Sequence, residues 1–450
     1  MSKASVKKTI TLKRVLGLSS SILLVAGIMI GTGIFKKVAP MAASGLSGGY
    51  IIAAWIVAGI VTILGALSIS GLATLTTESG GEYEYIRIIF GNFVAFIFGW
   101  TCFTIIGSAS VAAMSYLFTQ SLNSICQTTF FANDYNIKFF ACFVIIILTL
   151  LNCLGTKKST ILNNILTFFK IGGVLFLIIG GLFFFKKDLT NEYATTISHI
   201  SSYHLMTVFF AAMLSAFWAY DGWLSVAFIS GEIKNPQKNV PFAIISGISL
   251  VMILYVLFIW AFIRVLPLST LANLNENQIA AAELSNELFG KSGNLLISLL
   301  ILISALGSLN GIIITYSRMY YKMAIDGFFF SNATAVHSRY ETPHIALLYA
   351  MVVSCILVFS GTFDTLTDMI VFSGFLFYAL LAYGLIKMKR KGLITVKNIG
   401  YPYVPLIYIL FSILLMVNTC INQPKQTFFG ICLMMSGIPF YFYFKKRNKN

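Results

Sequence analysis

Apolar runs separated by short polar connectors fill almost the whole chain. Twelve can be drawn, at roughly 15–39, 48–73, 90–122, 136–154, 159–185, 205–230, 239–266, 293–324, 343–361, 366–387, 402–421 and 426–444. About 20 apolar residues cross the hydrocarbon of a bilayer as a helix. A chain with no water around it must satisfy its own backbone, so the pattern predicts an all-α integral membrane protein with 12 transmembrane helices. Two runs break the even pattern. The first contains Gly27, Gly31 and Gly33, which weaken a helix. The sixth contains Phe217-Trp218-Ala219-Tyr220-Asp221-Gly222-Trp223, an ionisable residue followed at once by glycine. A charge at membrane depth is costly and is normally met where it faces a cavity or a partner. Both runs are therefore expected to be interrupted, which leaves backbone N–H and carbonyl groups free to bind. In the first run alone, Gly27 and Gly31 also fit a small-residue packing face of the Gly-x-x-x-Gly kind. A matching interruption in a second run favours a transporter site at the break.

The chain has 450 residues, 58% of them hydrophobic and 10% charged, with mean hydropathy +0.86, which excludes a soluble protein. Residues 1–14 are polar and basic and lead into the first run without a small-residue cleavage site, so no removable signal is expected. The net charge of +16 sorts by side of the membrane. Most Lys and Arg fall on the side that holds both termini, which predicts a multi-pass protein of the plasma (inner) membrane with cytoplasmic ends. That bias accounts for the basic balance without nucleic acid. The tail from Lys445 should rest on an anionic leaflet. The seven cysteines form no C-x-x-C pair and the four histidines have no ligand spacing, so no metal site is expected. Lys170 lies inside the fifth run, too deep to reach an interface easily, and should meet carbonyls or a polar partner in the interior.

Several stretches, in chain order, carry a family resemblance. Gly31-Thr32-Gly33-Ile34-Phe35 resembles the G-[ST]-G-I-F signature of the amino acid–polyamine–organocation transporters. Ser79-Gly80-Gly81-Glu82-Tyr83, Ala219-Tyr220-Asp221-Gly222-Trp223, the segment from Glu232 to Pro241, and Leu306-Gly307-Ser308-Leu309-Asn310-Gly311 with Ser317-Arg318 are similar to its L-type amino acid transporter branch. The matches run from residue 15 to about 330, while the last two spans are similar only in hydropathy. Leu224-Ser225-Val226-Ala227 replaces an Asn-rich stretch common in that branch, which leaves the pocket floor and the substrate's size open.

The resemblance implies a 5+5 inverted repeat with broken helices one and six: repeats over 15–185 and 205–387, two additional helices over 402–444, and cytoplasmic tails 1–14 and 445–450. It further implies a sodium-independent secondary transporter that exchanges L-amino acids by alternating access. Gly31, Thr32, Gly33 and Ile34 would take the substrate carboxylate. Phe217, Trp218, Ala219, Asp221 and Gly222 would take its ammonium, with Trp218 as outer gate. Lys170 would stand where sodium-coupled relatives hold an ion, bonded to span one and to Ser304 or Ser308, which share a helical face. Neutral substrates are preferred, since Asp221 in an unwound turn can simply hold backbone and amino group. A cationic carrier, a proton-coupled symporter and an amino-acid sensor of the same fold are the alternatives. The chain lacks H-E-x-x-H, G-x-x-x-x-G-K-[ST] and clustered intramembrane histidines, so no enzyme and no cofactor are expected. Many animal members of the branch need a single-span partner bonded through the loop between spans three and four. Cys126 falls there, yet one cysteine is common by chance, and no obligate heavy-chain partner is expected. The outside loop 267–291 reads most plainly as a solvated loop and is also consistent with a partly helical cap.

Overall fold

A computed structural model describes residues 16–76, 81–126, 128–154, 159–184, 202–228, 233–275, 278–340, 342–396 and 398–447. The tail 1–14, Ser79-Gly80, residues 185–201 and Glu232 lie outside them. Among the described residues ten helices are long and apolar enough to cross a membrane. They are span one (Leu18–Lys36), two (Gly48–Leu72), three (Asn92–Cys126), four (Asp134–Cys153), six (Leu205–Ala227), seven (Pro236–Val265), eight (within Ala280–Ile325), ten (Phe363–Arg390), eleven (Tyr403–Asn422) and twelve (Pro424–Arg447). Shorter apolar helices, Thr167–Phe183 and His344–Ser360, stand at the places expected for spans five and nine.

Several hydroxyl side chains inside these helices bond back to their own helix. Thr62, Ser68, Thr101, Ser110, Thr119 and Ser121 each donate a hydroxyl to the carbonyl four residues earlier, so these six hydroxyls are paired at membrane depth. Large apolar side chains such as Phe168, Phe183, Leu406 and Phe428 point outward, where water would not tolerate so continuous an apolar surface and lipid does. The two broken spans, one and six, pack with spans two and seven; spans three, four, eight and nine form a second group. The candidate site lies between these groups.

Some boundaries differ from the sequence reading. At Gly290 (φ 64°, ψ −157°) the backbone leaves the helical region, so Ala280–Ile325 is two helices meeting at a kink, the first in the expected cap and the second span eight. The rest of loop 267–291 contributes Leu268–Ala272. Cys126, expected in a loop, is the last residue of span three. Twelve is broken at Ser436 into Pro424–Met435 and Gly437–Arg447.

Candidate functional site

Span one is helical over Leu18–Met29, leaves the helix at Ile30 (φ −72°, ψ 74°), and resumes as the short turn Gly33–Lys36. The N–H groups of Thr32, Gly33 and Ile34 have no backbone acceptor among the described residues. Span six is helical to Tyr220, turns through Asp221–Leu224 with Gly222 at φ 94°, and resumes at Ser225. Both interruptions fall where glycine and a buried acid were expected to cause them. The breaks also touch. A Cβ on Gly33 would lie 2.7 Å from Cα of Ala219, and one on Gly222 would lie 2.7 Å from the Ile28 side chain. Span seven ties them together: the Tyr255 hydroxyl lies 2.7 Å from the Met29 carbonyl and 3.0 Å from the Ala219 carbonyl, sharing its proton between one backbone acceptor at each break.

Lys170 is fully buried and donates to the Gly27 carbonyl at 3.0 Å and to the Ser308 hydroxyl at 2.8 Å. The ammonium therefore joins the helix just before the span-one break to span eight. Of the two expected hydroxyls, only Ser308 meets it. Ser304, one turn away, points its hydroxyl at the Ile30 carbonyl at 3.5 Å and so supports the break directly.

A cavity of about 40 Å³ lies between the two breaks, and Gly31, Thr32, Gly33, Trp218, Asp221 and Gly222 line it. Ile34, Phe217 and Ala219 do not. Ile34 turns into the packed core, Ala219 carries the backbone against Gly33, and Phe217 lines a second cavity beside Tyr378 and Tyr408. Asp221 borders both cavities, and its carboxylate accepts the Tyr378 hydroxyl at 3.0 Å. Spans three and eight supply walls that sequence reading missed in part: Ser110 and Met114, and Ile312 and Tyr316. Ser110 belongs to the small-residue stretch Gly107-Ser108-Ala109-Ser110 of span three. Gly107, from the same stretch, packs against Tyr316 and Tyr320 instead.

Above the cavity the Trp218 ring meets Phe363 edge-on at 6.2 Å, and Phe363 lies beneath the ammonium groups of Lys36 and Lys37 at 5.0 and 5.3 Å. Lys37 is buried and paired directly with Asp364, with Asp368 at 3.7 Å. Gln423, just past span eleven, donates to the other Asp368 oxygen at 3.0 Å. One end of the cavity is thus closed by an aromatic pair under an ion cluster, centred on the buried Lys37, that joins the end of span one to span ten. Toward the opposite end, Arg87 pairs with Glu84 and lies 3.8 Å from Asp326, and the Lys234 N–H donates to the Leu16 carbonyl at 2.9 Å. Glu82 is buried on the connecting helix Gly81–Phe90. Burial, and then the charge of Asp221, push its carboxyl up to about 8.

An all-α bundle with twin broken helices meeting at one cavity is the context in which the sequence motifs gain meaning. A family model described as amino acid permease matches residues 16–439. The chain belongs to the amino acid permease family. It is 28% identical to the serine/threonine exchanger SteT of Bacillus subtilis (strain 168) over 441 residues, covering 97% of this chain and 98% of that one. It is 28% identical to the b(0,+)-type amino acid transporter 1 of Mus musculus over 443 residues (97% and 89%). To the large neutral amino acids transporter small subunit 2 of the same species it is 27% identical over 444 residues (96% and 81%). As a permease-family chain with this many apolar helices, it is a multi-pass membrane protein.

Proposed function

We propose that this permease-family chain exchanges neutral L-amino acids across the plasma membrane without sodium, with both termini in the cytoplasm and no obligate heavy-chain partner. The observation that carries the reading is the meeting of two unwound backbones at a cavity whose adjoining helix is held by an ammonium. The substrate carboxylate would take the Thr32 hydroxyl and the N–H groups of Thr32, Gly33 and Ile34, the positive end of the resumed turn. The substrate ammonium would take carbonyls near Phe217 and Trp218 with the Asp221 carboxylate. Sodium is unnecessary because Lys170 supplies a cation that bridges spans one and eight. An exchanger needs no driving ion: each bound substrate relaxes the same barrier from its own side. The names of the relatives, one an exchanger of two neutral amino acids and one a carrier of large neutral ones, support the substrate class. The two inverted repeats over 15–185 and 205–387 supply the alternation, with spans one and six at equivalent places.

The test uses the purified chain alone in proteoliposomes preloaded with an amino acid or left empty, challenged with a panel of labelled amino acids in sodium or choline buffer. Uptake is expected from preloaded vesicles only, equally in either buffer, and strongest for neutral substrates. Uptake into empty vesicles that follows an imposed pH gradient would replace exchange by proton symport, and saturable binding without uptake would make the chain a sensor.

Trp218 is the outer gate in this reading. Its ring lies between the cavity and Phe363, so it must swing away before a substrate arrives from outside and return before the inner side opens. Trp218→Ala is expected to insert normally and to lose about 10–100-fold in exchange rate, as expected when a closing element is lost or misplaced. An unchanged rate would reduce the ring to packing.

A further inference from the structure

The wall of the cavity contains a long, unbranched side chain that reaches the span-one break from another span. Met114 is buried on span three, four residues on from Ser110, so the two occupy one helical face. Its sulfur accepts the Thr32 hydroxyl at 3.2 Å, and its terminal methyl lies 3.2 Å from where a Cβ on Gly31 would stand. The neighbouring walls are backbone at the two breaks, the rings of Trp218 and Tyr316, and the aliphatic side chains of Ile28, Met29 and Ile312; Met29 belongs to span one itself, so Met114 is the flexible wall residue that meets Thr32 from another span. Backbone at a break cannot retreat without moving a helix, and a ring has few rotamers. Methionine is unbranched, with three rotatable bonds, and fills irregular space adaptably.

A thioether is a weak acceptor. A carboxylate reaching Thr32 would replace it with a charge-assisted bond roughly twice as strong as a neutral one. Met114 then has to leave the hydroxyl and fold back into the space that the substrate's side chain also needs. We propose that Met114 is a specificity-determining residue of the amino acid site, covering Thr32 when the cavity is closed and limiting the size of the substrate side chain once Thr32 is engaged. This rests on the exchanger reading above and names what that reading left open: small neutral amino acids are favoured over large ones, and one side chain on span three sets the limit.

The measurement is the ratio of kcat/KM for leucine to that for alanine in preloaded proteoliposomes, for wild type, Met114→Ala and Met114→Phe. A ratio taken within one protein cancels its folded fraction and insertion level, so a residue that only packs would not move it. One methylene in an apolar pocket changes discrimination about 10–200-fold. Met114→Ala is therefore expected to raise the ratio at least about 10-fold, and Met114→Phe to lower it. If Met114→Ala does not insert, the ratio in Met114→Phe decides the matter alone: a fall supports the role of Met114. A ratio equal to wild type in the variants that transport overturns that role and leaves the exchanger reading standing. A wild type that moves neither amino acid overturns that reading, and this proposal with it.

Discussion

A Gly33→Val chain is expected to reach the membrane in normal amount and to bind and move no measurable amino acid. The Cβ of any residue there would stand 2.7 Å from both Cα and Cβ of Ala219 and 3.1 Å from its backbone nitrogen. These atoms belong to the span-six helix where it ends, and they cannot give way as the end of a flexible side chain can. The two breaks must separate, which pulls the Thr32 hydroxyl and the neighbouring N–H groups off the carbonyls around Trp218. A shift of about 1 Å in a positioned group costs on the order of 100-fold in rate. The overpacking itself costs about 1–3 kcal/mol, small enough for a large membrane protein to survive. Gly31→Ala provides the contrast. Its added methyl meets the terminal carbon of Met114 at 3.2 Å, an atom free to rotate away, so this variant is expected to keep measurable exchange. Binding of labelled substrate to purified protein, beside a thermal melt, separates the two effects. Wild-type affinity in a well-inserted Gly33→Val would remove the span-one break from the site.

What was legible in the sequence follows from cost. An acid and a lysine in apolar runs, and glycine repeated within one turn of another, are expensive enough to stand out without a neighbour in view. Accordingly the breaks at Ile30–Thr32 and Asp221–Leu224 and the burial of Lys170 were all readable. The partners that complete them were not. Tyr255, which joins the two breaks, is one tyrosine in a long apolar helix, and nothing in its local pattern distinguishes it from a lipid-facing ring. Met114 and Tyr378 are ordinary residues of a membrane helix until span three is laid against span one and span ten against span six. The same holds for the outer closure. Lys37 reads as a loop cation, and Asp364 and Asp368 as polar residues at a span's start; they meet across 327 positions of sequence. Pairing of that kind depends on helix register and rotation, which hydropathy does not encode. Ser304 and Ser308 show the finer limit, because their i, i+4 spacing placed them on one face but could not say which hydroxyl the ammonium meets.

Lys170→Ala is the second large effect expected. Exchange should fall about 100-fold or more, since each hydrogen bond to a charged group contributes about 1.5–3 kcal/mol and two are lost together. The loss acts at a distance from the substrate. Without the ammonium, the Gly27 carbonyl and the Ser308 hydroxyl have no common partner, and the helix leading into the break is free to shift against span eight. The Thr32 and Gly33 groups then spend less time in the arrangement that binds a carboxylate, and apparent affinity falls in proportion to the competent fraction. Lys170→Arg should rescue poorly, because a planar guanidinium fork does not reproduce a compact ammonium bonded to one carbonyl and one hydroxyl. Gly27 sharpens the expectation: a Cβ there would collide with the Thr167 hydroxyl, so span five packs too closely on span one to admit a larger head. Uptake that requires sodium in the wild type would show that the ammonium does not replace an ion. Full exchange in Lys170→Ala, with normal insertion, would show that the break holds its shape without the ammonium, and the role given to Lys170 would be wrong.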